Sequence, residues 1–130
     1  MARIVLDTNA WVALVAGDRD MAEILAAADA VILPVTVLGE LLDGFAGGSR
    51  EAENRRILER FRDKPRTVVA PIAADTAEWF AVIKQGLRRK GRPIPIKDVW
   101  IAACAMEHGA QLLTLDRHFK EIEGLVLVKK

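Results

Sequence analysis

Four acidic residues stand where an apolar stretch stops or a helix begins: Asp7, Glu40, Asp98 and Asp116. Asp7 closes the run Arg3-Ile4-Val5-Leu6, and Asp116 follows Gln111-Leu112-Leu113-Thr114-Leu115. Glu40 and Asp98 each lie near the start of a helical pattern. In an open parallel α/β sheet such positions face the ligand crevice at the C-terminal ends of the strands. Four carboxylates gathered there repel one another unless a divalent cation fills the space between them. The donors are all oxygen, which favours Mg²⁺ or Mn²⁺ over Zn²⁺. His108 and His118 are too few and too far apart in sequence to argue a zinc site, and both read as surface residues.

Each acid taken singly also suits a plainer role. Asp7, in Asp7-Thr8-Asn9, fits the N-cap of the helix that follows, and Asp116 fits a cap on the short helix after it. Asp98 complements a helix dipole, and Glu40 suits an ordinary solvated helix position. Jointly they are out of place. Asp7 follows the kind of strand that is buried on both faces, Glu40 has Leu38, Leu41 and Leu42 around it, and Asp98 has Ile96, Val99, Trp100 and Ile101. A charge among apolar groups is costly unless it is paired or metal-bound. Only Lys97 adjoins one of these acids in sequence, and adjacent helix residues point apart.

The elements that must position these acids follow from the hydrophobic periodicity. Short apolar runs at 4–6, 30–33, 67–70, 111–115 and 125–128 read as strands. Helical patterns cover 9–16, 19–29, a stretch from 34 or 36 to about 45, 50–63 with Ser49 as its N-cap, 73–90, 95 or 96 to 108, and 117–122. Strands alternating with helices give an α/β fold, a three-layer sandwich with a central, mostly parallel five-stranded sheet. No repeat or linker divides the chain, so residues 1–130 read as a single domain.

Composition narrows the function. Lys and Arg total 19 against 18 for Asp and Glu, so no global charge drives the chain onto nucleic acid or acidic lipid. A hydrophobic fraction of 52% argues against disorder. The first residues lack the layout of a signal peptide, and no apolar run is long enough to span a bilayer. The single cysteine, Cys104, excludes an internal disulfide and suits a reducing, cytoplasmic setting; among Ile101, Ala102, Ala103 and Ala105 it reads as a small buried apolar group.

Four segments together resemble one known family. Ile4-Val5-Leu6-Asp7-Thr8-Asn9, Leu38-Gly39-Glu40-Leu41-Leu42, Lys97-Asp98-Val99-Trp100-Ile101-Ala102-Ala103 and Leu112-Leu113-Thr114-Leu115-Asp116-Arg117-His118-Phe119 occur in the order found in PIN domains. Among these the chain is most similar to VapC-type toxins of bacterial and archaeal toxin–antitoxin pairs. The likeness runs over nearly the whole chain and includes all four family acids. It departs at His118, where many relatives carry an acid or Asn.

The resemblance implies metal-dependent endonucleolytic cleavage of RNA. Asp7, Glu40 and Asp98 would hold the first Mg²⁺ or Mn²⁺, and Asp116 would complete that site or hold a second ion. Thr8, Asn9 and Thr114 are the neighbours that would orient carboxylates or water by hydrogen bonding. Between Trp79 and Lys97 there is no acidic residue, while Lys84, Arg88, Arg89, Lys90, Arg92 and Lys97 are basic. A helix C-terminus attracts some positive charge, but this unbroken set reads as a phosphate-tracking patch for RNA. The basic stretch from Arg55 to Arg66 is interrupted by Glu59 and Asp63 and reads as a solvated face. The resemblance also implies a cognate antitoxin and a homodimer. Trp11, Val12, Val15, Leu41, Leu42 and Phe45 are the candidates for an apolar groove that receives the antitoxin, with Leu41 and Leu42 the more core-like of the six.

Two other classes remain open. A receiver-like or aspartate-nucleophile phosphoryl-transfer domain suits the length and the α/β alternation, but Val68-Val69-Ala70-Pro71 ends the third strand without an acceptor Asp. A non-catalytic interaction module is disfavoured by the complete set of acids. A serine hydrolase fails because the sole serine, Ser49, reads as a helix cap.

Overall fold

The computed structural model describes residues 2–129. Four strands form one parallel sheet: β1 (Arg3–Leu6), β2 (Ala30–Pro34), β3 (Thr67–Ala70) and β4 (Gln111–Leu113), in the spatial order β3-β2-β1-β4. Consecutive residues of β1, β2 and β4 are buried, so both faces of the central sheet are covered. Helices α1 (Thr8–Val15), α2 (Arg19–Ala27), α3 (Val35–Ala46), α4 (Glu51–Arg62), α5 (Ala74–Lys90) and α6 (Ile96–Glu107) provide that cover, and a 3₁₀ turn spans Arg117–Glu121. The three-layer α/β expectation holds. Among the described residues no helix is long and apolar enough to cross a membrane.

The fifth strand differs from expectation. The segment expected at 125–128 meets β4 through a single parallel bridge, Leu112 with Leu127. Its hydrogen bonds run from Leu112 N to Val126 O and from Val128 N to Leu112 O, both 2.9 Å. β4 itself is short, because Thr114 and Leu115 leave the sheet, so little ladder remains for a neighbour to extend.

Helix starts show which expected caps are real. Asp7 accepts the Ala10 N–H and caps α1 as expected, and Asp18, not among the expected caps, accepts the Met21 N–H and caps α2. α3 and α6 follow Pro34 and Pro95 directly, with no side-chain cap. Ser49 does not cap α4; Arg50 holds that position, again without a side-chain bond. Glu51 and Glu53 in the first turn of α4 face its positive end instead.

Going from β1 to β2 to β3 the sheet grows in one direction, and β4 lies on the other side of β1. The order therefore reverses between β1 and β4, with Leu6 paired to Leu113. The crevice beyond the C-terminal ends of such strands is where open α/β sheets take their ligands. α5 and α6 pack against each other on one flank, with Phe80 stacked on Trp100 at 4.1 Å. The fully buried Phe119 fastens the 3₁₀ turn to the core beside the crevice.

Candidate metal centre

All four acids meet at that crevice. Asp7 follows β1, Glu40 lies in the second turn of α3, Asp98 in the first turn of α6, and Asp116 in the loop between β4 and the 3₁₀ turn. Asp7, Glu40, Asp98 and Asp116 line one cavity of about 40 Å³ together with Thr8, Asn9, Lys97 and Ile101. The volume is that of a small ion with little surrounding water, and the concentration of carboxylate oxygen is high.

Asp7 has two jobs. Its Oδ1 accepts the Ala10 N–H at 2.9 Å, and its Oδ2 accepts the Thr114 hydroxyl. The cap and the site are therefore the same residue. Thr114 Oγ1 also accepts the Asp116 N–H at 3.0 Å, so one hydroxyl ties the ends of β1 and β4 together. Asn9 Nδ2 donates to Asp116 Oδ2 at 3.0 Å. Asp116 makes no capping bond to the turn it precedes, which removes its plainer role.

Asp7 is 2% exposed and Asp98 4%, whereas Glu40 and Asp116 are half-buried. Burial pushes the Asp7 carboxyl above its ordinary range; the bonds from Thr114 and Ala10 oppose this, and the charges of Asp116 and Asp98 add to it. Burial likewise raises Asp98, against the nearby His118 and the charge of Lys97, with Asp116 raising it further. Two buried acids are thus held in a place that disfavours their charge.

Two expectations need correction. Lys97 does reach one of the acids, although not its neighbour in sequence: its Nζ lies 3.4 Å from Glu40 Oε2. Glu40 is therefore not embedded among its leucine neighbours; it looks across to α6 from the rim. Adjacency in sequence hid this, because the partner of Lys97 comes from α3 and not from its own helix. His118 is not a free surface residue either. Its Nε2 stands 2.7 Å from Asp98 Oδ2 and 4.0 Å from Asp116 Oδ2. Its position two residues after Asp116 was the signal that could have found it.

The donor chemistry fits a divalent cation. Asp98, Asp116 and His118 each offer one atom within 4.8 Å of the others. Thr8 Oγ1, beside Asp7 in the cavity wall, is buried with no hydrogen-bond partner. A bound ion with its water would satisfy that orphaned hydroxyl and offset the buried acids.

The other expected residues lie elsewhere. Lys84, Arg88, Arg89, Lys90 and Arg92 follow the C-terminal part of α5 and the connector to α6, and of the six basic candidates only Lys97 reaches the acid cavity. Lys90 is engaged by Glu121, with its Nζ 2.6 Å from the backbone oxygen and 3.5 Å from Oε1. Trp11, Val12, Val15, Leu41 and Phe45 line an apolar groove of about 220 Å³ with Asn54 and Ile57. Trp11 and Val15 continue into a larger groove of about 480 Å³ bordered by Phe61, Arg60 and Lys64. Trp11 is only 3% exposed and meets Phe61 edge-on at 4.9 Å, so it is as core-like as Leu41; Val12 and Val15 are the exposed members. Cys104 is buried as expected, and burial first, then Glu107, push its thiol up to about 12, which keeps it inert.

The PIN domain model matches residues 4–125. The chain is 29% identical to Ribonuclease VapC5 of Mycobacterium tuberculosis over 125 residues, 96% of this chain and 91% of that protein. It is 30% identical to Ribonuclease VapC4 of the same organism over 72% of each. Among solved structures, it is similar to a chain of VapBC2 from Rickettsia felis, crystallised with a DNA fragment from the promoter, at a TM-score of 0.85 and 26% identity over 97% of both chains.

Proposed function

The chain belongs to the PIN-domain family, and from that premise we propose that it is a Mg²⁺- or Mn²⁺-dependent endoribonuclease acting as the toxin of a toxin–antitoxin pair. The observation that carries the reading is a pair of almost fully buried carboxylates, Asp7 and Asp98, sharing one cavity with Glu40 and Asp116. The names of its relatives, ribonucleases VapC5 and VapC4, support the same activity.

Asp7, Glu40, Asp98 and Asp116 would hold the ion. When bound, it lowers the pKa of water and neutralises charge on the phosphate and the leaving oxygen. The chain's own residues do the rest. Thr114 and the Ala10 N–H fix both oxygens of Asp7, and Asn9 fixes one oxygen of Asp116. These bonds keep carboxylate lone pairs aimed into the cavity before substrate arrives. Lys97 borders the cavity and is 58% exposed, so it can turn from Glu40 to an incoming phosphate. Arg88, Arg89 and Arg92, exposed on the α5 end and the connector, with Lys84 and Lys90, would track the RNA backbone toward it.

As a toxin the protein needs restraint. The groove of Trp11, Val12, Val15, Leu41 and Phe45, with Leu42 half-buried nearby, suits an amphipathic segment of a cognate antitoxin. Solved relatives in complexes called VapBC support that partner, and the reading extends to a homodimer working in the cytoplasm. The test is cleavage of structured RNA by the purified protein. Cleavage is expected with Mg²⁺ or Mn²⁺ and absent in excess EDTA; cleavage that persists in EDTA would overturn the mechanism.

A further inference from the structure

We propose that His118 is a metal ligand, and that Asp98, Asp116 and His118 form a mixed oxygen–nitrogen position that prefers Mn²⁺ to Mg²⁺. The inference rests on the metal-dependent reading above and makes it specific to this chain. It begins with the 3₁₀ turn. Phe119 is fully buried, and with that ring fixed the preceding side chain turns toward the first turn of α6. His118 Nε2 consequently reaches 2.7 Å from Asp98 Oδ2 and 4.0 Å from Asp116 Oδ2. Ligands around an octahedral ion with bonds of about 2.1 Å stand about 3 Å apart in cis and about 4.2 Å in trans. The two observed separations lie near those values.

The nitrogen is also ready to bind. Nε2 is shielded from solvent although the ring is partly exposed, and its closeness to the carboxylate comes without a well-directed hydrogen bond. A nitrogen held between two carboxylates, and not aligned to donate to either, is placed to offer its lone pair to an ion they share. The remaining histidine does not compete for this place: His108 Nδ1 lies 2.9 Å from the Cys104 carbonyl oxygen at the far end of α6.

The choice of donor has a chemical consequence. Mg²⁺ demands oxygen and holds its waters tightly, whereas Mn²⁺ and later first-row ions accept imidazole with increasing affinity. An acid or Asn at this position would give an all-oxygen set. His118 gives a set that discriminates between the two ions.

The experiment is Mn²⁺ and Mg²⁺ titration of the purified protein by calorimetry, with pulsed electron paramagnetic resonance of the Mn²⁺ form. Wild type should show the ¹⁴N coupling of a directly bound imidazole, and His118→Asn should lose it. The variant should also bind Mn²⁺ about tenfold more weakly or worse, with Mg²⁺ affinity changed by less than about threefold. Mn²⁺ that binds wild type without ¹⁴N coupling would overturn the proposal and leave the carboxylate site standing, with His118 only an ionic partner of Asp98. No Mn²⁺ binding at all would overturn this inference and the metal-dependent reading together.

Discussion

Asp7→Asn is expected to lower RNA cleavage by about 10³-fold or more, since the proposed ion, contributing several kcal/mol of transition-state stabilisation, would lose its most buried oxygen ligand. Single-turnover cleavage at saturating Mg²⁺ or Mn²⁺ measures it, and a variant within tenfold of wild type would contradict the role given to Asp7. The fold should survive. Asn keeps an oxygen for the Ala10 N–H, so α1 retains its cap. The pH dependence of metal-free stability carries a second signature. Burial raises the Asp7 carboxyl in the folded state above its ordinary 3.8. An acid raised in this way contributes stability that is fully present below its unfolded value and lost as pH rises through its folded value. Without metal, the wild type therefore pays for the charge at neutral pH, and Asp7→Asn removes that part of the loss. Urea titrations at several pH values should show the variant gaining on wild type as pH rises, and a variant that loses ground instead would mean the carboxylate is favourable without an ion.

Val12→Glu is expected to release the protein from its antitoxin without touching catalysis. Val12 is 58% exposed on α1, so the free protein tolerates a charge there. If the proposed antitoxin segment fills the apolar groove that Val12 shares with Trp11, Leu41, Phe45, Asn54 and Ile57, no basic side chain among these is there to receive the new carboxylate. An uncompensated charge buried at an interface costs about 3 kcal/mol or more, which weakens binding about 100-fold. Titration against the product of the neighbouring reading frame would measure this, alongside growth arrest on co-expression. Unchanged affinity would mean that the antitoxin docks elsewhere.

What the sequence made legible follows periodicity and local chemistry. The apolar runs of β1 and β2, buried on both faces, announced a parallel sheet, and the acids following β1 and β4 announced the crevice. Asp7 was readable twice, as cap and as site, because both roles require the same place after β1. The misses lie where partners are distant in sequence. Lys97 finds Glu40 57 residues away, and His118 finds Asp98 through a turn whose orientation depends on the burial of Phe119. No local pattern encodes such meetings. The weak fifth strand has a related cause: Leu125, Val126, Leu127 and Val128 have strand propensity, but β4 ends at Leu113 so that Thr114 can bond Asp7. Tertiary demands of the site override propensity there. Trp11 likewise gives no sign in sequence that its ring lies edge-on to Phe61 inside the core.

A crystal of the protein soaked in Mn²⁺ would show whether the four carboxylates hold a divalent ion. The predicted result is an anomalous difference peak in the cavity, about 2.0–2.3 Å from carboxylate oxygens of Asp7 and Asp98, with Glu40 and Asp116 bound to it directly or through water. A fully soaked crystal with no peak between Asp7 and Asp98, or with manganese only at other surface acids, would mean that the carboxylates do not hold a catalytic ion.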